Sequence, residues 1–323
     1  MPIGRRMLGD LDVSAIGLGA PIYAEPRIDA VIPVVQRALD RGIDLIDTSD
    51  IYWHGRHEEF VARAIKGRRG QVVLATKFGN IRPPGGTPSA DGRPEHVRAA
   101  CEASLRRLEV DVIDLYYIHR IDPRVPIEDT VGAMSQLVTE GKVRRLGICE
   151  AAPATLSRAH ATHRMAALQT EYSLWSRGPD EGLLDLCAEL GIGVVAYSPL
   201  GRGFLTGMIE SADGFVAGDL RRNMPRFQPQ NIGRNRAVVE RLKKLAAEQR
   251  VSPAQLALAW VLGRRPFVVP IPGTRQVRWL DENVEAAGLC LAPATLAGLD
   301  DIFRPGAIAG ARYNASEQRR VEL

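Results

Sequence analysis

The chain has 323 residues, 45% of them hydrophobic and 25% charged, with a net charge of +4 and a pI near 9.0. That balance belongs to a folded chain with a sizeable core, and its mild positive charge gives no ground for nucleic acid as a partner. The four cysteines (Cys101, Cys149, Cys187, Cys290) form no C-x-x-C pair, and no run approaches the ~18 apolar residues of a membrane helix. We therefore expect a cytoplasmic protein with no disulfide, structural zinc or membrane attachment.

In chain order, residues 5–19 predict a short hairpin that turns at Leu8-Gly9-Asp10 and feeds a strand over 15–19. Strand-like and helix-like stretches then alternate. Helix 29–41, with Asp29 as N-cap, precedes strand 43–48; helix 57–66 precedes strand 72–78. A Gly/Pro-rich loop leads to helix 94–108, which opens on a proline, and then to strand 113–119. The pattern continues with helix 127–140, strand 145–149, helix 153–163, strand 167–172, helix 180–190 and strand 193–197. A long Gly/Arg/Pro loop over 198–233 is followed by helices 235–248 and 253–262, the second capped by Ser252. Strand 267–271 ends near Thr274, a candidate cap for the next helix; a helix over 293–302 and a polar tail over 304–323 complete the chain.

About eight strand-then-helix units predict a (β/α)8 TIM barrel, read as one domain over 1–323 with an N-terminal β-hairpin and extra C-terminal helices. A doubly wound sheet is the rival. It would place G-x-G-x-x-G after its first strand, whereas Gly17-Leu18-Gly19-Ala20-Pro21-Ile22 has Ile where the third glycine belongs.

Three successive strands end in chemistry. Asp47 closes the first with Tyr52 just beyond, Lys77 the second and His119 the third. Each alone has a bland reading, such as a turn-capping Asp or a snorkelling Lys. In a barrel, however, all would meet at the C-terminal mouth, where such enzymes place their sites. A phenol titrates near ~10 and is a poor acid at neutral pH. An ammonium about 4 Å away would stabilise its anion by roughly 4 kcal/mol at an effective dielectric of ~20, about three pKa units before desolvation opposes it. Asp47 is then the counter-ion the lysine needs, and His119 can orient a carbonyl oxygen toward Tyr52.

These residues sit in motifs that resemble the aldo-keto reductases over about 5–303. The motifs are Asp47-Thr48-Ser49-Asp50-Ile51-Tyr52, Ala75-Thr76-Lys77-Phe78-Gly79 and Asp114-Leu115-Tyr116-Tyr117-Ile118-His119-Arg120. Gln169-Thr170-Glu171-Tyr172-Ser173, Tyr197-Ser198-Pro199-Leu200-Gly201-Arg202 and Ile271-Pro272-Gly273-Thr274-Arg275 follow, in a form similar to the microbial and plant branches. The resemblance implies NADPH-dependent reduction of an aldehyde or ketone, with Tyr52 as general acid, Lys77 tuning it, Asp47 holding Lys77 and His119 orienting the carbonyl.

It also implies that Gln169, Cys149 and Glu150 lie along the nicotinamide carboxamide and that Tyr197 stacks on the ring. Ser198, Pro199, Leu200, Gly201 and Arg202 would wrap the pyrophosphate, with Gly19 and Ala20 beside the cofactor. Gly273, Thr274 and Arg275 would hold the 2′-phosphate, and Trp279, Glu282 and Asn283 would lie at the adenine end. Tyr23, Trp53 and His119 would line the substrate pocket.

The chain departs from the pattern at Cys149, where relatives commonly have Ser, and at Gln276, where a second basic residue is common. Trp53 stands where a small residue is frequent, so a planar or apolar carbonyl compound is expected. The implied partner is a small carbonyl substrate, with homo-oligomerisation left open. A cofactor-binding sensor of the same fold with little turnover is the alternative. His57-Glu58-Glu59-Phe60-Val61 lacks the second His of a zinc-protease motif, and His160 and His163 read as surface residues, so no metal is expected.

Overall fold

The computed structural model describes residues 3–21, 28–83 and 85–322. The hairpin strands β1 (Arg5–Leu8) and β2 (Leu11–Ser14) pair antiparallel. Helix α1 spans Ile28–Asp40, and the cap expected at Asp29 rests on a side chain outside the described residues. Strand β3 (Leu45–Asp47), helix α2 (Arg56–Ala64) and strand β4 (Val73–Phe78) follow, then a small pair, β5 (Asn80–Ile81) and β6 (Ser89–Ala90). Next come α3 (Pro94–Leu108), β7 (Ile113–Ile118), α4 (Ile127–Thr139), β8 (Val143–Cys149), α5 (Pro153–Thr162) and β9 (Met165–Glu171). The chain ends with α6 (Leu183–Leu190), β10 (Gly193–Tyr197), α7 (Pro229–Glu248), α8 (Pro253–Arg264), β11 (Val268–Pro270), α9 (Val277–Glu285), α10 (Pro293–Ile302) and α11 (Ala315–Gln318).

Seven strands form one parallel sheet in the order β11-β10-β9-β8-β7-β4-β3. The stretch after the hairpin closes it. Leu18 donates its amide to Leu45 O (2.8 Å), Asp47 donates to Leu18 O (2.9 Å), and Gly17 donates to Pro270 O (3.0 Å). Residues 15–19 thereby bridge the two sheet edges as an eighth strand position, as the sequence predicts for a (β/α)8 barrel. Closure brings two backbones unusually near: a Cβ on Gly19 would lie 2.6 Å from Ile271 O, and one on Gly273 2.9 Å from Ala20 O. Glycine is required there because any side chain would push the seam apart.

Two apolar layers hold the barrel. The inner one is small and includes Leu45, Ala75, Leu115, Val195 and Val269, with Leu8 and Val13 of the hairpin closing the end of the barrel opposite the site. The outer one packs helices on strands through residues such as Val35, Phe60, Val97, Met134 and Leu156. Arg6 fastens the hairpin by donating to the carbonyls of Leu262, Arg265 and Val268 at 2.6–2.8 Å.

Some sequence expectations move. Ser252 does cap α8 in a reciprocal box with Gln255. Thr274 does not cap α9, which starts at Val277 after Gln276; its hydroxyl accepts the Gln276 amide in a local turn. Helix α7 starts at Pro229, six residues before the expected 235, because proline suits a first helical turn. Residues 304–322, polar as read from the sequence, run back across the mouth of the barrel. Arg312 pairs with buried Glu150, the hydroxyls of Tyr313 and Tyr197 lie 2.8 Å apart, and Glu317 pairs with Arg82.

Candidate active site

Strand alternation decides what the barrel mouth receives. Asp47 is the last residue of β3 and Lys77 the last but one of β4, in strands whose preceding residues are committed to the core, so their side chains meet at the rim of a buried interior. Lys77 is fully buried and Asp47 is 3% exposed. The ammonium donates to Asp47 Oδ1 and, at 2.7 Å, to Thr48 O. Burial alone would pull the Lys77 pKa down, yet the Asp47 carboxylate together with Tyr52 and Cys149 outweighs it and the net shift is upward, so the lysine stays charged. Gln169 Nε2 donates to Asp47 Oδ2 at 2.8 Å, which fixes the carboxylate from its other side.

Tyr52 arrives from the loop after β3. Trp53, His54 and Gly55 all have positive φ (50°, 57° and 86°), a left-handed run that two non-glycine residues adopt only under constraint from their surroundings. The turn carries the Tyr52 ring over Lys77, whose Nζ is 5.1 Å from the ring centroid. His119 lies edge-on to the same ring at 5.8 Å. The four side chains read from the sequence thus converge around one point of the mouth.

The electrostatics correct one detail. Burial pushes the Tyr52 phenol up to about 12; Lys77 draws it down, but Asp47 offsets part of that pull. Desolvation therefore exceeds the ammonium's effect, and Tyr52 holds its proton firmly at neutral pH. His119 is driven well below its usual pKa by burial and by the charges of Arg120 and Lys77. It is neutral, with Nδ1 3.0 Å from Ser49 Oγ. Cys149, buried beside them, is pushed up to about 12 by desolvation and remains a thiol.

A cleft of about 1090 Å³ opens over this cluster, larger than most small-molecule pockets. Asp47, Tyr52, Trp53, His119, Cys149 and Gln169 line its inner end; Lys77 lies behind Asp47, out of contact with the cleft. Tyr197, Ser198, Pro199, Leu200 and Arg202 also line it, as do Gly19 and Ala20, whose backbone lies against Gly273. Its far end is lined by Gly273, Thr274, Arg275, Trp279, Glu282 and Asn283.

Three expected residues are not presented to the cleft in the manner the motif implies. Glu150 does not line it; its carboxylate is 1% exposed and engages Arg312, the Glu171 amide and Thr170 Oγ1. Gly201 lies behind the wall, packed on the Trp175 ring. Arg202 touches the cleft, but its guanidinium pairs with buried Glu171. Tyr23 falls outside the described residues.

The site also contains groups that sequence reasoning did not single out. Tyr313 and Asn314 reach the cleft from the C-terminal strap, as do Arg82 and Arg120 from the strand ends. Arg120 follows His119 directly, and that adjacency was the available signal. Asp50, next to Ser49, has its pKa raised to about 7 by burial and by nearby Glu58. His57 and Glu58 prove structural: His57 Nδ1 lies 2.7 Å from Thr48 Oγ1, and Glu58 accepts from Thr76 Oγ1 and Arg107 Nε at 2.6 Å each. Among the described residues no group of three or more His, Cys, Asp or Glu could hold a metal ion, and no helix is long and apolar enough to cross a membrane.

A model of the Aldo/keto reductase family matches residues 15–303, nearly the whole barrel. The chain belongs to the aldo/keto reductase family. The solved structures agree. A glycerol dehydrogenase from Gluconobacter oxydans is 30% identical with a TM-score of 0.83, the match covering 92% of this chain and 94% of that one. An aldo-keto reductase from Bacillus halodurans, in its holo form, is 27% identical with a TM-score of 0.79, covering 97% and 99%. An aldo-keto reductase from Klebsiella pneumoniae, solved in complex with NADPH, is 28% identical with a TM-score of 0.75, again covering 97% and 99%. As a member of this family the protein is an NAD(P)H-dependent oxidoreductase acting on carbonyl compounds.

The cleft fits a dinucleotide of that kind on its own terms. It is long enough to run from the buried cluster to the start of α9, where free backbone amides of a helix N-terminus favour phosphate. Arg275 stands exposed beside that N-terminus. The Tyr197 ring is held in place midway by its hydroxyl contact with Tyr313.

Proposed function

We propose that the protein reduces aldehydes or ketones to alcohols with NADPH, and that Tyr52 is the general acid. The observation that carries this reading is the convergence of a protonated phenol, a buried ammonium and a neutral imidazole on one end of a cleft sized for a dinucleotide. When bound, the reduced nicotinamide supplies the hydride. The chain's own residues supply the rest.

With Nδ1 accepting a hydrogen bond from the Ser49 hydroxyl, a neutral His119 carries its proton on Nε2 and donates it in a hydrogen bond, so it orients the substrate oxygen without competing to protonate it. As negative charge develops on that oxygen, Tyr52 gives up its proton; the phenolate left behind faces the Lys77 ammonium, whose charge Asp47 and Thr48 keep in place. The resting phenol at about 12 is consistent with this role, because a proton held until charge appears on the acceptor is delivered only in the transition state. Gln169 and Cys149 would face the nicotinamide, Tyr197 would lie on it, and Gly273 to Arg275 with the α9 N-terminus would hold the adenosine phosphate. Arg275 favours NADPH over NADH, since the 2′-phosphate adds the charge a guanidinium grips. We place the protein in the cytoplasm, as one domain acting on a small-molecule carbonyl.

Cofactor oxidation across a panel of aldehydes and ketones, with NADPH and NADH, tests the reading. Tyr52→Phe should lose at least about 100-fold in kcat while binding NADPH as the wild type does. Full activity in that variant would refute the assignment; tight NADPH binding with no turnover on any carbonyl would point to the sensor.

A further inference from the structure

One cleft-lining group is not used by the mechanism above. Arg120 is 9% exposed, yet among the described residues no carboxylate lies within ion-pair distance of it. Its Nη1 donates to His119 O at 2.8 Å, and its Nε is buried with no acceptor at all. A buried, unpaired guanidinium is costly, because taking an ion out of water is offset only by an opposing charge. Burial lowers its pKa, but the nearby Tyr313 and Tyr197 hydroxyls and the Glu150 carboxylate, beyond ion-pair distance, shift it upward on balance, so Arg120 keeps its proton. By contrast, buried Arg202 pairs with Glu171 and part-buried Arg312 with Glu150.

The surroundings deepen the imbalance. Arg82 lines the same part of the cleft, and it shares the Glu317 carboxylate with Arg320, at 2.9 Å and 3.0 Å. Arg82 and Arg320 therefore share one carboxylate, and Arg120 lies close enough for its charge to act on Arg320. The charges of Arg120, Arg320 and Arg82 all bear on His119, and so on the oxygen being reduced. The aromatic residues Tyr52, Trp53 and Tyr313 also line this cleft.

We propose that the substrate is itself an anion, an aldehyde or ketone bearing a carboxylate, and that Arg120 receives that carboxylate while His119 and Tyr52 engage the carbonyl. This rests on the carbonyl-reductase reading and names the substrate class for it. The carboxylate takes no part in the bond changes: hydride goes to the carbonyl carbon, a proton to its oxygen, and the acid group leaves as it came. A guanidinium meets a carboxylate with two parallel N–H donors, so Arg120 also sets the orientation of the substrate. The purely structural alternative is that Arg120 braces the turn after His119 through its one carbonyl contact.

The test compares para-formylbenzoate with its methyl ester, two aldehydes of the same ring and reacting group, with NADPH as reductant. In the wild type the acid should be favoured by about 10- to 100-fold in kcat/KM, mainly through KM, as for a hydrogen bond to a charged partner. Arg120→Gln should erase that ratio and Arg120→Lys should keep part of it; a brace would lower both substrates together and leave the ratio alone. Calorimetry of benzoate against benzamide on the NADP⁺-loaded protein gives a second reading that needs no turnover and no variant. Benzoate should bind and benzamide should not. Equal treatment of acid and ester, a ratio that survives in Arg120→Gln, or benzoate binding no better than benzamide would overturn the proposal. If neither aldehyde is reduced, the reductase reading fails by itself and the calorimetry still decides the carboxylate site.

Discussion

Gln169 donates to Asp47 Oδ2 at 2.8 Å while Lys77 occupies Oδ1, so one buried carboxylate is clamped from both sides. The ammonium that faces Tyr52 is therefore held by a three-residue unit drawn from β3, β4 and β9. Asp47→Asn leaves Lys77 charged and fully buried with no counter-ion, and should cost about 3–5 kcal/mol of stability. Lys77→Met should likewise destabilise, by stranding Asp47. The double variant, with no buried charge, should be more stable than the sum of the two losses implies. Urea unfolding of all three measures this coupling; additive losses would show that the pair is not a closed electrostatic unit.

Cofactor choice should depend on Arg275. It is exposed just before α9 and is followed by the uncharged Gln276, so it has no basic neighbour at that position. Arg275→Ala should lower the NADPH-to-NADH ratio of kcat/KM by about 10-fold or more, chiefly by raising KM for NADPH, because a charge-assisted contact to phosphate contributes about 1.5–3 kcal/mol. Initial rates with each cofactor check it. An unchanged ratio would move the 2′-phosphate elsewhere in the cleft.

Asp50 gives a pH signature. Burial and Glu58 raise its folded pKa from 3.8 to about 7, so the folded protein binds a proton that the unfolded chain releases. Its contribution to stability is present below about pH 4 and is lost as pH rises toward 7. His57, lowered to about 3 by burial, acts in the opposite sense over part of this window. The difference between wild type and Asp50→Asn removes that background. Across pH 5–8, the melting temperature of wild type minus that of Asp50→Asn should fall as pH rises; a difference flat with pH would mean Asp50 is ionised in the folded state.

Much of this was legible in the sequence because it rests on local patterns. Apolar runs that end in Asp47, Lys77 and His119 declare both the strands and what they carry to the barrel mouth, and Pro94 and Pro293 mark helix starts that the structure reproduces. What escaped depends on contacts far apart in the chain. Nothing near Arg312 announces that it meets Glu150, more than 160 residues away, so the motif-based placement of Glu150 on the cofactor had no local signal against it. The Tyr52 pKa fails to follow Coulomb arithmetic for the same reason. Its dominant contribution is desolvation by walls assembled from several elements, including Trp53 and the ring of His119. Likewise the Arg202 guanidinium reads as a phosphate ligand in its motif until β9 brings Glu171 beneath it.

The strap over 304–322 makes a last prediction. Arg312 is the counter-ion of Glu150, whose carboxylate is 1% exposed and also accepts from Thr170 Oγ1 and the Glu171 amide. Arg312→Met leaves that carboxylate buried and unpaired, which should cost about 3–5 kcal/mol or force Glu150 to take up a proton. In the second case its folded pKa rises above the unfolded value, so the variant regains stability as pH falls and loses it as pH rises. The strap would then keep fewer anchors, chiefly the Tyr313–Tyr197 contact, the Glu317–Arg82 pair and Glu322 on the Ala152 amide. Native-state trypsin digestion should therefore cut Arg312→Met faster than wild type at Arg319 and Arg320. Cleavage at these sites is governed by local opening, so it reports the strap separately from the barrel. Identical digestion rates in the two proteins would mean that the strap is held by the remaining contacts and that Glu150 does not depend on Arg312.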